Sequence, residues 1–273
     1  MEQTYPFADI DLARRLERAD GGIEFIEARK KAFPDRGATW IEVAGARAMF
    51  DGIGSPITQT FGLGVFEPIT AEQMSEIEEF FRSRGADVFH EVCPLADASV
   101  FEVIRERGYT PVEFSNLLYR PIERDLRLHA ARNEEIKVRV VEKDEVDLWA
   151  ETACKGWSEF PEVEDFLKEL NQVVAQSTGL SFLAELKGEA IAAGALTIVG
   201  DVALLAGAST VPSARLQGAQ NALLEERLHY AAAQGCTVAM MVTLPGSGSQ
   251  RNSERHGFRI AYTRTKWWTG LQD

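Results

Sequence analysis

Cysteine is scarce in this 273-residue chain: Cys93, Cys154 and Cys236 are odd in number and show no Cys-x-x-Cys spacing. Neither a disulfide framework nor a cysteine-ligated zinc site is expected, and a reducing cytoplasm is the expected location. Histidine numbers four, each isolated in the sequence, so no metal cofactor is expected. Long apolar runs are missing as well. No stretch reaches the ~18 apolar residues of a membrane-spanning helix, and the opening MEQTYPF lacks the basic-then-apolar pattern of a secretory signal. Positive charge is in deficit, with 29 Lys and Arg against 42 Asp and Glu, a net charge of −13. That balance disfavours nucleic acid or anionic lipid as a partner and is compatible with a cationic one. What remains is 45% apolar and 26% charged, the composition of a folded soluble chain rather than a disordered one. The length exceeds what one core usually serves, so two domains of about 135 residues each are expected.

The two halves repeat one order of elements. In the first, a helical pattern over 71–84 closes at Gly85, a strand covers 86–93, a helix covers 98–107 before Gly108-Tyr109, and a strand runs to Tyr119. In the second, a helix over 221–234 closes at Gly235, a strand covers 237–243, a short helix covers 250–256 before Gly257-Phe258, and a strand runs to Trp268. Gly85 and Gly235 lie 150 residues apart, and Gly108 and Gly257 lie 149 apart. Each glycine follows a helix where a left-handed closing residue is expected, and a shared element order at one offset marks duplication. Upstream, hairpins are expected at 40–50, turning at Ala44-Gly45, and at 182–198, turning at Lys187-Gly188. Two helices precede each: 9–19 and 23–31, then 145–155 and 162–176. The fold class is therefore α/β with a mixed sheet, an α+β-like arrangement in two tandem copies. Domains are expected at 1–122 and 136–273, joined by the polar linker 123–135. A first strand is not evident in the first half, and how the sheet edges are covered is left open, with a domain-swapped or inter-domain pairing as one solution.

The stretch 202–224 carries the chemistry. A strand ends at Pro212, a loop holds Arg215, and a helix opens at Gly218. The free N–H groups and dipole of that helix start form an anion site, which Gly218 lets a phosphate approach closely. This segment resembles the GNAT superfamily of acyl-CoA-dependent N-acyltransferases. The superfamily's signature is Arg or Gln, two residues, Gly, one residue, then Gly or Ala, after a strand and often a proline. Arg215, Gly218 and Pro212 match it, whereas Gln220 replaces the final small residue. The likeness extends through Gly257-Phe258, covering about 90 residues well and most of the chain loosely through the repeat. It implies an acyltransferase that moves an acetyl or other short acyl group from acyl-CoA to a primary amine, on a small molecule or peptide, by direct attack. It places the cofactor pyrophosphate on the amides of Gln217, Gly218, Ala219, Gln220 and Asn221, and the pantetheine arm and thioester at Ala208, Ser209 and Thr210; Arg215, which can add a charge-assisted contact, and Leu216 are counted with the cofactor-binding residues. It also brings Ser247 to Arg251, Ser249 among them, to the pantetheine; Asn252 is a further cofactor candidate, or rather the cap of the short helix. The chain is expected to act as a monomer or homodimer.

At the matching helix start, the first half reads Glu67-Pro-Ile-Thr-Ala-Glu-Gln-Met74. Thr70 with Gln73 makes a capping box, and Ile69 with Met74 a hydrophobic staple. That helix satisfies its own amides and ringfences them with Glu67 and Glu72, so the first copy is expected to be structural and degenerate.

Many superfamily members carry a tyrosine acid where this chain has Ser253. Tyr262 on the next strand is the candidate substitute, or else an aromatic packing on the sheet; Glu185 is a candidate base, or else a solvent-facing strand residue. In the superfamily the loop after the first helix lines the acceptor pocket. Here Trp157 and Phe160 offer apolar walls and Glu159 a carboxylate for an ammonium, while Glu162, Glu164 and Asp165 suit the start of the next helix. Two other classes remain: a non-catalytic acyl-CoA-binding regulatory module, and an interaction scaffold with both copies degenerate.

Overall fold

The computed structural model describes residues 4–20, 22–123, 126, 133–159 and 169–270. The chain divides into two compact units that interleave in sequence. An N-terminal unit takes residues 4–118, 242–250 and the chain end from Ile260; a C-terminal unit takes 119–241 and 251–259.

The N-terminal unit begins with helices α1 (Ile10–Asp20) and α2 (Ile23–Ala32). Strands β1 (Thr39–Val43) and β2 (Ala46–Phe50) form the expected hairpin, with Thr39 opposite Phe50 and Val43 opposite Ala46. There follow β3 (Gln59–Phe61), α3 (Ala71–Arg82), β4 (Val88–Val92), α4 (Ala98–Glu106) and β5 (Thr110–Pro121). Helix α3 turns Met74, Ile77 and Phe81 to the sheet at helical spacing, where they join Phe50, Val88 and Ile104 in the core. Its start is self-satisfied: Thr70 Oγ1 accepts from the Gln73 amide at 3.2 Å and Gln73 Oε1 from the Thr70 amide at 3.0 Å.

The C-terminal unit opens on β6 (Ile136–Val140), a strand the sequence reading missed. Helix α5 (Val146–Gly156), helix α6 (Leu170–Gln176), and strands β7 (Leu180–Leu186), β8 (Glu189–Val199) and β9 (Val202–Thr210) come next. Helix α7 (Ala219–Ala233), strand β10 (Val238–Thr243) and helix α8 (Gly248–Arg255) follow. Of the helix expected over 162–176, only the part at α6 lies within the described residues. The strands run in the order β6-β7-β8-β9-β10, antiparallel except that β9 and β10 are parallel. Side chains alternate between the two faces. Leu183 and Ala193 face Trp149 and Ala153 of α5, whereas Phe182 stacks edge-on against Tyr230 of α7.

The last strand, β11 (Arg259–Thr269), departs from the linear division into domains. Although it follows α8 in sequence, it pairs antiparallel with β4, from Thr265 opposite Val92 to Thr269 opposite Val88, and lies between β4 and β5. The end of β5, from Tyr119, belongs to the C-terminal unit. Among the described residues, no strand precedes α1, as the sequence suggested. No helix there is long and apolar enough to cross a membrane, and no cluster of His, Cys, Asp or Glu is arranged to hold a metal ion.

A buried polar network ties β11 to α1. Arg264, 1% exposed, donates to Glu17 at 3.4 Å and Asp20 at 2.7 Å and lies 3.3 Å from Glu91 on β4. Ser115 on β5 donates to Glu91 at 2.5 Å, and the Tyr262 hydroxyl to Glu17 at 2.9 Å. Burial dominates the electrostatics: it pushes Glu17 up to about 7 against the opposing pull of Arg264, and the adjacent Cys93 thiol up to about 12.

Candidate functional site

The C-terminal unit gathers the residues singled out between 202 and 221. Strand β9 ends at Thr210, a short 3-10 turn spans Pro212–Ala214, and α7 opens behind Gly218. Gly218 takes a φ of 95°, a left-handed conformation that costs a residue with a Cβ roughly 1–2 kcal/mol. Among the described residues no side chain caps α7, and its first internal bond runs from the Ala222 amide to the Gly218 carbonyl at 3.1 Å. The amides of Ala219, Gln220 and Asn221 precede that bond and have no acceptor within the helix. The contrast with α3, whose side chains occupy the same groups, is the expected one.

Around this helix start the side chains interlock. Gln220 Nε2 donates to Thr210 Oγ1 at 2.7 Å, joining the end of β9 to the first turn of α7. Asn133, from the stretch read as linker, donates to the Gln217 carbonyl at 3.0 Å, and its Cβ would lie 3.4 Å from a Cβ placed on Gly218. Leu216 has a φ of 64° and is fully exposed, two departures from an ordinary leucine in one residue. Arg215 donates to Glu159 Oε2 at 2.5 Å and to the Gly156 carbonyl at 3.4 Å. The cation read as a phosphate ligand and the carboxylate read as an ammonium ligand are thus each other's partner. Gly156 closes on Ser209: a Cβ there would meet Ser209 Oγ at 2.3 Å, and Ser209 Oγ donates to the Ala153 carbonyl at 3.2 Å. Trp157, half-buried, ends α5. Ala208, also half-buried, follows Gly207 at a break in the β8–β9 register. Phe160, with Glu162, Glu164 and Asp165, lies outside the described residues.

Three assignments from the sequence are corrected. Tyr262 is 7% exposed, and its hydroxyl is spent on Glu17. Burial holds that phenol well above the ordinary tyrosine range, the opposite of what a proton donor needs. Glu185 is ion-paired to Arg139 at 2.8 Å, and Arg139 also holds Glu145, so no free base stands at this position. Asn252 lies inside α8 rather than at its start; Ser247 Oγ is the group that accepts from an early helix amide, that of Gln250, at 3.1 Å. Ser249 is exposed, in the first turn of α8. Ser253, at the superfamily's tyrosine position, is buried and donates to Met241 Sδ at 2.7 Å.

Several residues of the site escaped the sequence reading. Asn133 gave no local signal, being one polar residue in a charged stretch. Gly194 and Gly207, in the middle of strand patterns, did carry one, because an interior strand glycine marks a bulge or a close approach. Arg227 interrupts the buried stripe of Leu223, Leu224, Leu228 and Ala231.

Residues 144–258 match the model of the Acetyltransferase (GNAT) family. Solved structures share the fold over most of the chain. A GCN5-related N-acetyltransferase from Kribbella flavida superposes with a TM-score of 0.66 at 18% identity, covering 94% of this chain and 95% of that one. A GNAT-family acetyltransferase from Colwellia psychrerythraea gives 0.52 at 17% identity, covering 94% of each chain. A tandem GNAT protein of the clavulanic acid biosynthesis pathway gives 0.54 at 12% identity, covering 74% of this chain and 70% of that one. No curated protein matches the sequence.

Proposed function

We propose that the C-terminal copy binds acyl-CoA at the start of α7 and passes its acyl group to a primary amine by direct attack, while the N-terminal copy is structural. One observation carries this reading: α7 opens uncapped behind a left-handed glycine, whereas the equivalent α3 is closed by its own Thr70–Gln73 box. The residues fit a pyrophosphate. Three amides without helical acceptors, a helix dipole and a partly exposed arginine converge on one loop. Each hydrogen bond to a charged phosphate oxygen contributes ~1.5–3 kcal/mol, so three or four make the pyrophosphate a major anchor of the bound cofactor. When bound, acyl-CoA supplies the activated thioester.

The protein's own part is orientation more than proton transfer. Thr210, linked to Gln220, aligns the strand end with the phosphate loop. With Tyr262 and Glu185 engaged elsewhere, solvent takes the proton from the amine and returns one to the thiolate, and proximity supplies most of the rate. Glu159 is the carboxylate we assign to the acceptor ammonium. A phosphate displacing it from Arg215 would release it for that task, which favours acyl-CoA as the first substrate to bind. Glu159→Gln should accordingly tighten acetyl-CoA binding by up to about 5-fold, the worth of a half-exposed ion pair, and raise KM for the amine. Calorimetry and steady-state kinetics read both, and a weaker acetyl-CoA affinity would contradict the exchange.

Tyr262→Phe is expected to leave turnover within about two-fold and to cost about 1 kcal/mol of stability, the worth of one hydrogen bond. A tenfold fall in turnover in a folded variant would reinstate the tyrosine as the acid. The buried Ser253 favours a second reading, an acyl-CoA-binding regulatory module without turnover. Free-thiol release from acetyl-CoA across a panel of primary amines separates the two: amine-dependent release supports the enzyme, and binding without release supports the module.

A further inference from the structure

Below the end of β9 lies an arginine that neither phosphate binding nor ammonium binding uses. Arg227, in the third turn of α7, is 2% exposed. Among the described residues no carboxylate pairs with it, and burial alone pulls its pKa down to about 10. Its partners are carbonyl oxygens: Leu223 at 3.1 Å from Nε, and Ala195 at 3.0 Å and Ala206 at 3.4 Å from Nη1. A buried cation held only by neutral oxygens is a poor way to stabilise a fold, since an apolar side chain of similar size commonly does as well or better. Stability alone therefore does not account for it.

What it grips is a break in the β8–β9 register. Ala195 pairs with Ala206 and Ala193 with Ser209, so Gly207 and Ala208 together oppose the single residue Gly194. Gly207 adopts a φ of 60°, the left-handed residue of a bulge. The two strand carbonyls that Arg227 holds belong to the last regular pair before this bulge. Gly194 makes the contact possible, because a Cβ there would come within 3.2 Å of the guanidinium carbon. From α5, Trp149 Nε1 donates to the Gly194 carbonyl at 3.2 Å, so the bulge is fixed from both faces of the sheet. The bulge itself stays open: Ala206 and Gly207 are exposed.

We propose that Arg227 is a positioning residue for acyl transfer, which holds the Gly207–Ala208 bulge of β9 in the shape that receives the acyl end of acyl-CoA. The proposal rests on the acyl-CoA reading given above. A guanidinium bonded to the Ala206 carbonyl also polarises the Ala206–Gly207 peptide group, which strengthens the Gly207 N–H as a donor at the open face.

Arg227→Met in the full chain tests this, with melting temperature, amide hydrogen exchange of the free protein, affinity for CoA and kcat for acetyl transfer as readouts. The expected result is an unchanged or raised melting temperature and exchange at Ala195 and Ser209, the ladder residues that flank the bulge, faster by tenfold or more. Exchange at Leu224 and Leu228 stays unaltered, CoA affinity stays within two-fold, and kcat falls at least tenfold. Gly194→Ala, which crowds the guanidinium, is expected to give the same exchange and kcat changes. Unaltered exchange at the bulge, or an unaltered kcat in a variant that binds CoA, would overturn the role of Arg227 and leave the acyl-CoA reading standing. A lowered melting temperature with exchange raised throughout α7 would make the residue merely structural. Wild-type protein that binds no CoA would overturn the acyl-CoA reading itself, and the role with it.

Discussion

Gly218→Asp is expected to reduce acyl-CoA affinity by 100-fold or more in a chain that remains folded. The variant acts twice on the same few ångströms. A side chain at a φ of 95° pushes into the space in front of the first α7 amides, and a carboxylate there repels the pyrophosphate while offering those amides a competing acceptor. Losing one or two charge-assisted bonds at ~1.5–3 kcal/mol each, together with like-charge repulsion, reaches that magnitude. The backbone also registers the change, at roughly 1–2 kcal/mol for a residue with a Cβ in this conformation. A melting temperature lower by a few degrees is therefore expected. Gly218→Asn separates the terms, because it carries the same backbone cost without the charge and should retain measurable binding. Calorimetry that finds acetyl-CoA bound as tightly by folded Gly218→Asp as by the wild type would move the phosphate site elsewhere.

The largest effect on stability is expected from Arg264→Leu. One guanidinium there answers three carboxylates, Glu17, Asp20 and Glu91, in the N-terminal unit. Removing it leaves buried acids with no counter-charge, a loss of ~3–5 kcal/mol, or about 6–20 °C in the melting temperature of that unit. The network also sets a pH dependence. Glu17 in the folded chain has its pKa raised from 4.5 to about 7, chiefly by burial, and Asp20 is raised for the same reason. The folded state therefore holds a proton that the unfolded state has released. The stability Glu17 contributes is complete below about pH 4.5 and is lost as pH rises through 7. The wild-type N-terminal unit should accordingly melt higher at pH 5.5 than at pH 8. The deficit of Arg264→Leu should shrink at pH 5.5, where a protonated carboxyl needs no cation. Thermal melts across that range check both, and a variant equally stable at pH 8 would mean that the carboxylates are already neutral.

Local rules carried most of the fold. Glycine-closed helices, turn pairs at Ala44-Gly45 and Lys187-Gly188, and the Thr70–Gln73 box are written in residues adjacent in the chain, and the structure has them in place. The helix start at Gly218 was legible for the same reason. What failed was long-range. Alternation along β11 puts Ile260, Tyr262 and Arg264 on one face but says nothing of which strand it pairs with. That choice is made by Glu17 and Asp20, more than 240 residues earlier. Read within the second copy, Tyr262 looked free to act as an acid; paired with β4, its unit supplies it a buried acceptor. Glu185 failed likewise, because its partner Arg139 sits on β6, a short strand next to the charged stretch read as linker. Arg227 was visible as an arginine in an apolar stripe, but only the register break on β8 and β9 shows what it holds.

The central claim is that one helix start of the two is open to a phosphate, and backbone amide shifts on titration with acetyl-CoA test it most directly. The account predicts saturation at one equivalent per chain, with large shifts at Gly218, Ala219, Gln220 and Asn221 and none at Ala71, Glu72 and Gln73. Saturation at two equivalents, or shifts at the start of α3 with the amides of residues 218–221 unmoved, would contradict it.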